Sequence, residues 1–163
     1  MGKTNRIGFW AQRDKYGCFS NFYPCTFIWA GRKFNCSEQA FMWAKASFFR
    51  DDDMAVRIFE ETDPKKIKRL GRLVKNYDDY EWSQVRYSFM LGINEAKYSQ
   101  NKDLRDILLS TREAEIIEDS PYDYIWGIGK NGTGHNLLGK ILMSIRDYYN
   151  SIAEEVKSNE KVI

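Results

Sequence analysis

Two residues of the segment Asn35-Cys36-Ser37-Glu38-Gln39-Ala40-Phe41-Met42-Trp43-Ala44-Lys45 have the types and the spacing for chemistry. Glu38 and Lys45 are seven residues apart, close to two turns of a helix, so they share one face. Their neighbours Ala40, Phe41, Met42, Trp43, Ala44, Ala46, Phe48 and Phe49 are nearly all apolar, the composition of a buried helix. A carboxylate and an ammonium in such company are costly unless paired, hydrogen-bonded or used. A carboxylate serves in proton transfer and in stabilising positive charge. A buried amine is pushed toward its neutral, nucleophilic form. A structural explanation stands beside this one. Asn35 caps the helix with Glu38 closing a capping box, and Lys45 snorkels its ammonium to solvent.

The elements that must position this pair follow from local signals. Arg6 to Trp10 reads as a short strand, and Tyr16 to Pro24 as a turn-rich loop carrying Ser20-Asn21-Phe22. Cys25 to Trp29 and Arg32 to Phe34 read as a hairpin around Ala30-Gly31. The Glu38/Lys45 helix runs to about Phe49. Asp51-Asp52-Asp53 opens a second helix, favourable to its dipole. Asp63-Pro64 opens a third, with proline at the first helical position. A longer helix covers Tyr80 to Tyr98, with Trp82, Val85, Phe89, Ile93 and Ala96 as its apolar stripe. Asp103 to Ser110 is a further helix with Leu104, Ile107 and Leu108 inward, and Glu115 to Glu118 a strand. Asn136 caps the last helix, whose stripe is Leu137, Leu138, Ile141, Leu142, Ile145 and Tyr148. The charged tail after about Ser151 is expected to fray. The sum is a mainly helical α+β fold with a small sheet, a single domain over residues 1–163 with its core at about 7–150.

Composition removes several classes of function. The formal charge is only +2 over 163 residues, so the chain as a whole is not a polycation. Aromatic residues make up 15%, which suits either stacking or a core. Cys18, Cys25 and Cys36 have no CxxC spacing and His135 is the one histidine, so neither a Cys/His metal site nor a histidine triad is expected. There is no secretory leader and no membrane-length apolar run. Free thiols fit a reducing, cytoplasmic compartment.

Two further stretches bear on ligands. Residues 123–136, Asp-Tyr-Ile-Trp-Gly-Ile-Gly-Lys-Asn-Gly-Thr-Gly-His-Asn, are rich in glycine, which lets a backbone approach a ligand closely. They lead into a helix N-terminus, where exposed N–H groups favour phosphate. Asp123 and Trp126 stand at the entrance of this loop, and its alternative reading is a surface loop with turn glycines. Lys65, Lys66, Lys68, Arg69, Arg72 and Lys75 form a basic face, either merely solvated or able to draw in phosphates. Trp82 and Arg86, four apart, could stack on a base and hold a phosphate; alone, Trp82 reads as core.

These residues carry a family resemblance from about Ile7 to Arg146. Its landmarks are Phe19-Ser20-Asn21-Phe22, Ser37-Glu38-Gln39-Ala40-Phe41, Ala44-Lys45, Gly71-Arg72, Trp82 with Arg86, Lys97-Tyr98, Ile125-Trp126-Gly127-Ile128-Gly129 and Asn136-Leu137-Leu138-Gly139. The chain resembles the NADAR superfamily, the YbiA-like N-glycosidases. That resemblance implies cleavage of an N-glycosidic bond between ribose and a base, without cofactor or metal. The family's acid falls on Glu38 and its following lysine on Lys45, with Asp123 as a third catalytic candidate. The implied substrate contacts fall on Asn21, Phe22, Trp82, Arg86, Trp126, Gly127, Gly129, Gly134 and Asn136. Gln39 stands where a histidine is common, and Tyr98 where a phenylalanine is frequent.

The resemblance implies either removal of ADP-ribose from guanine in nucleic acid or nucleoside, or cleavage of phosphoribosylated pyrimidine intermediates of riboflavin synthesis. Some family members accompany DNA ADP-ribosyltransferase toxins. The absence of a fused reductase or deaminase domain and the basic 65–75 run favour the ADP-ribosyl substrate. A module that binds ADP-ribose without cleaving it is the rival from another class.

Overall fold

The computed structural model describes residues 5–11 and 14–160. Its elements are β1 (Arg6–Phe9), one 3-10 turn (Gly17–Phe19), β2 (Phe27–Trp29), β3 (Arg32–Phe34), α1 (Ser37–Phe48), α2 (Asp52–Glu60), α3 (Pro64–Gly71), α4 (Asp79–Gln100), α5 (Lys102–Ser110), β4 (Glu115–Glu118) and α6 (Leu137–Glu160). The fold is α+β and mainly helical. The chain forms two compact units. A central unit holds Ser20–Lys102; a terminal unit combines the residues up to Phe19 with those from Asp103 onward.

In the central unit, Ala30 and Gly31 both have positive φ, 49° and 71°, the conformation of a tight hairpin turn. They set β2 antiparallel to β3 with Phe27 opposite Phe34 and Trp29 opposite Arg32. Three aspartates start three helices: Asp51 accepts from the Met54 N–H, Asp63 from Lys65 and Asp78 from Glu81. Each satisfies an N–H that has no partner inside its helix.

α1 starts differently. Its cap position is Cys36, whose side chain makes no capping bond. The reach-back comes from Gln39, whose Oε1 accepts from the Asn35 N–H at 2.9 Å. The Gln39 amide also donates to the carbonyls of Phe59 at 2.9 Å, Glu61 at 3.0 Å and, more weakly, Ile58 at 3.4 Å. One buried side chain therefore clasps the start of α1 to the end of α2. The capping box expected of Asn35 and Glu38 does not form. Gln39 is thus a structural clasp. Gln39→Ala strands a buried N–H and three carbonyls, and is expected to cost about 1–3 kcal/mol of stability. A lowered urea midpoint with unchanged m-value would show it.

The inward face of α4 differs from the expected stripe. Trp82 and Ile93 are buried, but with Met90, Asn94, Lys97 and Tyr98. Val85, Phe89 and Ala96 are only half-buried. A hydropathy stripe misses this because Asn94 and Lys97 go inward on hydrogen bonds. The Asn94 amide donates to the Met90 carbonyl at 3.0 Å. The Lys97 ammonium donates to the Ser20 carbonyl at 3.3 Å and lies 5.2 Å from the Tyr98 ring.

In the terminal unit, β1 runs parallel to β4, pairing Ile7 with Ile116 and Phe9 with Glu118. α6 packs on β4 through Leu138, Ile141, Leu142 and Ile145. Buried Arg146 donates to Thr111 Oγ1 at 2.9 Å and to the Ala114 carbonyl at 2.7 Å. One expectation for α6 is corrected: Tyr148 faces solvent at 62% exposure. The charged segment after Ser151 continues the helix through Glu160. It is rich in helix-forming Ala, Glu and Lys, which sustain a helix without a buried face.

Candidate active site

Glu38 lies in the first turn of α1 and Lys45 in the last, about 10 Å apart along the axis at 1.5 Å per residue. Phe41 falls between them on the same face. Glu38 is 7% exposed, and its backbone N–H donates to the Asn21 carbonyl at 2.9 Å. That bond ties the Ser20-Asn21-Phe22 turn to the start of α1. The Asn21 amide N–H points to the Met90 sulfur at 3.4 Å.

Three buried acceptors along this line have no protein partner: Asn21 Oδ1, Ser37 Oγ and Asn94 Oδ1. Unfilled buried acceptors are rare in folded proteins. Ser37 directly precedes Glu38, Asn21 holds the Glu38 N–H through its carbonyl, and Asn94 is one turn beyond Met90.

Lys45 is half-buried, and its ammonium is held rather than released to solvent. Nζ donates to the Gly71 carbonyl at 2.8 Å and lies 4.2 Å from the centroid of the Tyr77 ring. Gly71 comes this close because it lacks a Cβ. Met42 of α1 occupies that space, with its Cγ 2.9 Å from where a Cβ would stand. Burial pulls the Lys45 pKa below the ordinary lysine value; the Glu38 carboxylate opposes this, Arg72 assists it and Asp79 opposes it. The Tyr77 hydroxyl donates to Asp79 Oδ1 at 2.7 Å. Burial and that bond push the Tyr77 pKa up to about 12, so the ring stays neutral beneath the cation.

Any step that needs neutral Lys45 gains rate as pH rises through the lowered pKa. Its acidic limb should therefore lie below the ordinary lysine range. Asp79→Asn removes a charge that favours the ammonium, so the limb should move to lower pH. A pH–rate profile of the two proteins reads this shift directly.

The remaining central-unit residues divide. Phe22 is half-buried, with the Lys68 ammonium 5.7 Å from its ring centroid. Arg86 is half-buried and its charge is felt by Tyr77, which sets it toward the Lys45 end of the face. Trp82 is 5% exposed. Phe89 stacks on it at 5.8 Å, and Phe41, Phe48 and Phe49 surround it at 5.2, 6.1 and 6.2 Å. It supports Phe41 from within the core rather than offering an open platform for a base.

In the terminal unit the residues 123–136 form a self-contained knot. Asp123 Oδ1 accepts from the backbone N–H groups of Ile125 at 2.9 Å and Trp126 at 2.8 Å. The N–H groups of His135, Asn136, Leu137 and Leu138 donate to the carbonyls of Tyr124, Gly127, Ile125 and Trp126. The start of α6, expected to present N–H groups to phosphate, is thus occupied at Leu137 and Leu138 by the chain's own loop. Gly127 packs against the Glu118 carbonyl, 2.8 Å from where a Cβ would stand, and Gly134 against the Gly127 carbonyl. Gly129 has φ of 66° with the Tyr124 ring filling its open side. Asn136 has φ of 51°, and its side chain accepts from the Glu118 N–H at 3.0 Å and donates to the Ile116 carbonyl at 2.9 Å. It clips β4 instead of capping α6. These glycines and Asn136 are accounted for by the folding of the loop itself.

Gly71, Tyr77 and Asp79 are the site residues that sequence reading passed over. Gly71 carried a signal as a landmark beside Arg72; Tyr77 and Asp79 carried none.

Glu38 and Lys45 thus share one helix face, with the Lys45 pKa lowered by burial. The NADAR domain family matches residues 8–149. N-glycosidase R617 of Acanthamoeba polyphaga mimivirus is 37% identical over 145 residues, covering 79% of this chain and 85% of its own. The NMR structure of the Escherichia coli protein YbiA superposes with a TM-score of 0.83 at 30% identity, covering 95% of this chain and 90% of that one. Riboflavin biosynthesis protein VVA0006 of Vibrio vulnificus is 32% identical over 86% of this chain, which spans only 38% of that protein. The chain belongs to the NADAR family, and its fold is that of YbiA.

Proposed function

We propose that this chain is an N-glycosidase that hydrolyses the bond between ribose and a base, and that its substrate is ADP-ribosylated guanine in nucleic acid or nucleoside. The observation that carries the reading is the buried Glu38 carboxylate. It shares a helix face with a lysine whose pKa is lowered by burial. The relatives named N-glycosidase support the same activity.

Cleavage of an N-glycosidic bond builds positive charge at the anomeric carbon. The Glu38 carboxylate stabilises that charge and moves protons. Neutral Lys45 attacks the anomeric carbon; the bond to the base breaks, its electron pair leaves with the base nitrogen, and a proton follows. The ribose ring then opens, leaving an imine between Lys45 and the sugar. Water adds to the imine carbon, and expulsion of the amine frees the sugar and restores Lys45. Arg86 and Asn21 are suited to phosphate and ribose hydroxyls. No helix of the described residues is long and apolar enough to cross a membrane.

The Vibrio relative favours a second reading, cleavage of a phosphoribosylated pyrimidine intermediate of riboflavin synthesis. Side-by-side assays separate the two. The primary reading expects kcat/KM at least 100-fold higher on ADP-ribosylated guanosine than on the phosphoribosyl pyrimidine. The reverse preference would establish the second.

A further inference from the structure

Cys25 and Cys36 face each other at the open end of the β2–β3 hairpin. The two strands are in register at Phe27 and Phe34. Two residues before Phe27, the Cys25 N–H donates to the Asn35 carbonyl at 3.0 Å. The chains therefore stay side by side as far as the Asn35–Cys36 peptide, and the Cys36 backbone is itself extended, with φ of −164° and ψ of 162°. Side chains alternate between the faces of a strand. Cys25 is two positions before Phe27 and Cys36 two after Phe34, so both thiols fall on the face that carries these buried rings. Paired strands lie about 4.8 Å apart, and a disulfide needs Cα atoms about 4.4–6.8 Å apart. Both thiols are free, and a charge on Cys25 is felt by Cys36.

The two cysteines are not equivalent. Cys36 is buried, and burial pushes its pKa up to about 11. Cys25 is half-buried; burial raises its pKa as well, but the Lys97 ammonium pulls the other way. Cys25 is therefore the thiol that an oxidant meets first, and Cys36 the one placed to resolve it. The third thiol, Cys18, belongs to the terminal unit. Position links the pair to the site. Cys36 is the cap residue of α1, with Glu38 two residues on. Asn21, whose carbonyl holds the Glu38 N–H, is four residues before Cys25. Opposed Cβ atoms in a strand pair are about 4.5–5.5 Å apart, against about 3.8 Å in a disulfide. Closing the link draws Cys36 toward Cys25 and takes the first turn of α1 with it.

We propose that Cys25 and Cys36 form an oxidation site, closed to a disulfide by a hydroperoxide and reopened by a dithiol, and that the closed link moves Glu38 out of its working position. The effect on turnover rests on reading Glu38 as the carboxylate of an N-glycosidase; the link itself does not. The Cys25 thiolate attacks one peroxide oxygen, the O–O bond breaks, and Cys25 becomes a sulfenic acid while the other oxygen leaves as alcohol or water. The Cys36 sulfur then displaces the hydroxyl, which departs with the Cys36 proton as water, and the S–S bond forms. Two electrons pass from the thiols to the peroxide, and a dithiol returns them by exchange.

The test treats the full chain with hydrogen peroxide, blocks remaining thiols with iodoacetamide and maps the peptides without reductant. The peptides of Cys25 and Cys36 should appear joined, lighter by two hydrogens than their reduced sum, with Cys18 alkylated. Because both thiols are raised, the link should form faster as pH rises. Turnover of ADP-ribosylated guanosine should fall about tenfold or more, since misplacement by about 1 Å can cost ~10²-fold. Dithiothreitol should restore it to within twofold, which it would not do for methionine sulfoxide. Cys25→Ser should show neither the link nor the reversible loss, and Cys18→Ser should show both. Cysteines that stay unlinked, a link made through Cys18, or a complete Cys25–Cys36 link with unchanged turnover would overturn the proposal. If the reduced wild-type chain does not cleave the nucleoside, the glycosidase reading fails, while the peptide map still decides whether the oxidation site exists.

Discussion

Glu38→Gln is expected to lower turnover by about 10²–10⁴-fold, the range for losing a positioned proton-transfer or charge-stabilising group, and to leave the fold intact. The substitution keeps the shape of the side chain and removes its charge. The start of α1 should not suffer, because its reach-back bond comes from Gln39 and the Glu38 backbone N–H still meets the Asn21 carbonyl. Lys45 should not be lost as a nucleophile either. The Glu38 carboxylate favours the ammonium, so neutralising it makes the amine easier to deprotonate. The deficit therefore isolates the carboxylate's part in stabilising charge on the sugar and moving protons. The measurement pairs kcat with a thermal unfolding midpoint. A Glu38→Gln protein with full activity would return Glu38 to a structural role; an unfolded one would show that burial, not chemistry, fixed the residue.

The second large effect is at Lys45. Sodium borohydride added during turnover should reduce the imine to a stable secondary amine, and peptide mapping should place the sugar on Lys45. Lys45→Arg should abolish both the adduct and most of the turnover, since a guanidinium stays protonated. The Gly71 carbonyl and the Tyr77 ring hold the ammonium in place, while burial weakens its hold on the proton. Trapping should therefore grow with pH along the same limb as turnover, and Asp79→Asn should move both together. Product formation with no adduct at any pH would mean that water attacks the anomeric carbon directly and that Lys45 serves as a cation beside the sugar.

What the sequence disclosed depended on how local each cause was. The Asp63-Pro64 helix start and the Ala30-Gly31 turn are written in adjacent residues, and the structure has both. The Glu38–Lys45 face was legible because helical periodicity alone sets it. Gln39 was not, because its partners are at the far end of α2, about twenty residues on. Nor were Asn94 and Lys97, polar residues that go inward on bonds no hydropathy stripe registers. Tyr77 and Asp79 reach Lys45 only through the packing of α1 against neighbouring segments, with Gly71 admitting the close approach. Trp82 was legible as an aromatic next to the site, but its burial under four other rings follows from the three-dimensional cluster. The loop before α6, readable either as a ligand loop or as a surface loop with turn glycines, is a related case. A glycine-rich approach to a helix usually frees N–H groups for a ligand, and here the loop folds back and takes them.

The most direct test follows purified ADP-ribosylated guanosine by mass spectrometry as it is incubated with the wild-type chain and with Glu38→Gln. The account predicts that the wild-type protein releases ADP-ribose and intact guanosine in equal amounts over many turnovers, and that the variant releases neither at a comparable rate. Substrate that is bound in stoichiometric amount yet recovered unchanged would contradict it and make the chain a reader of ADP-ribose rather than an enzyme.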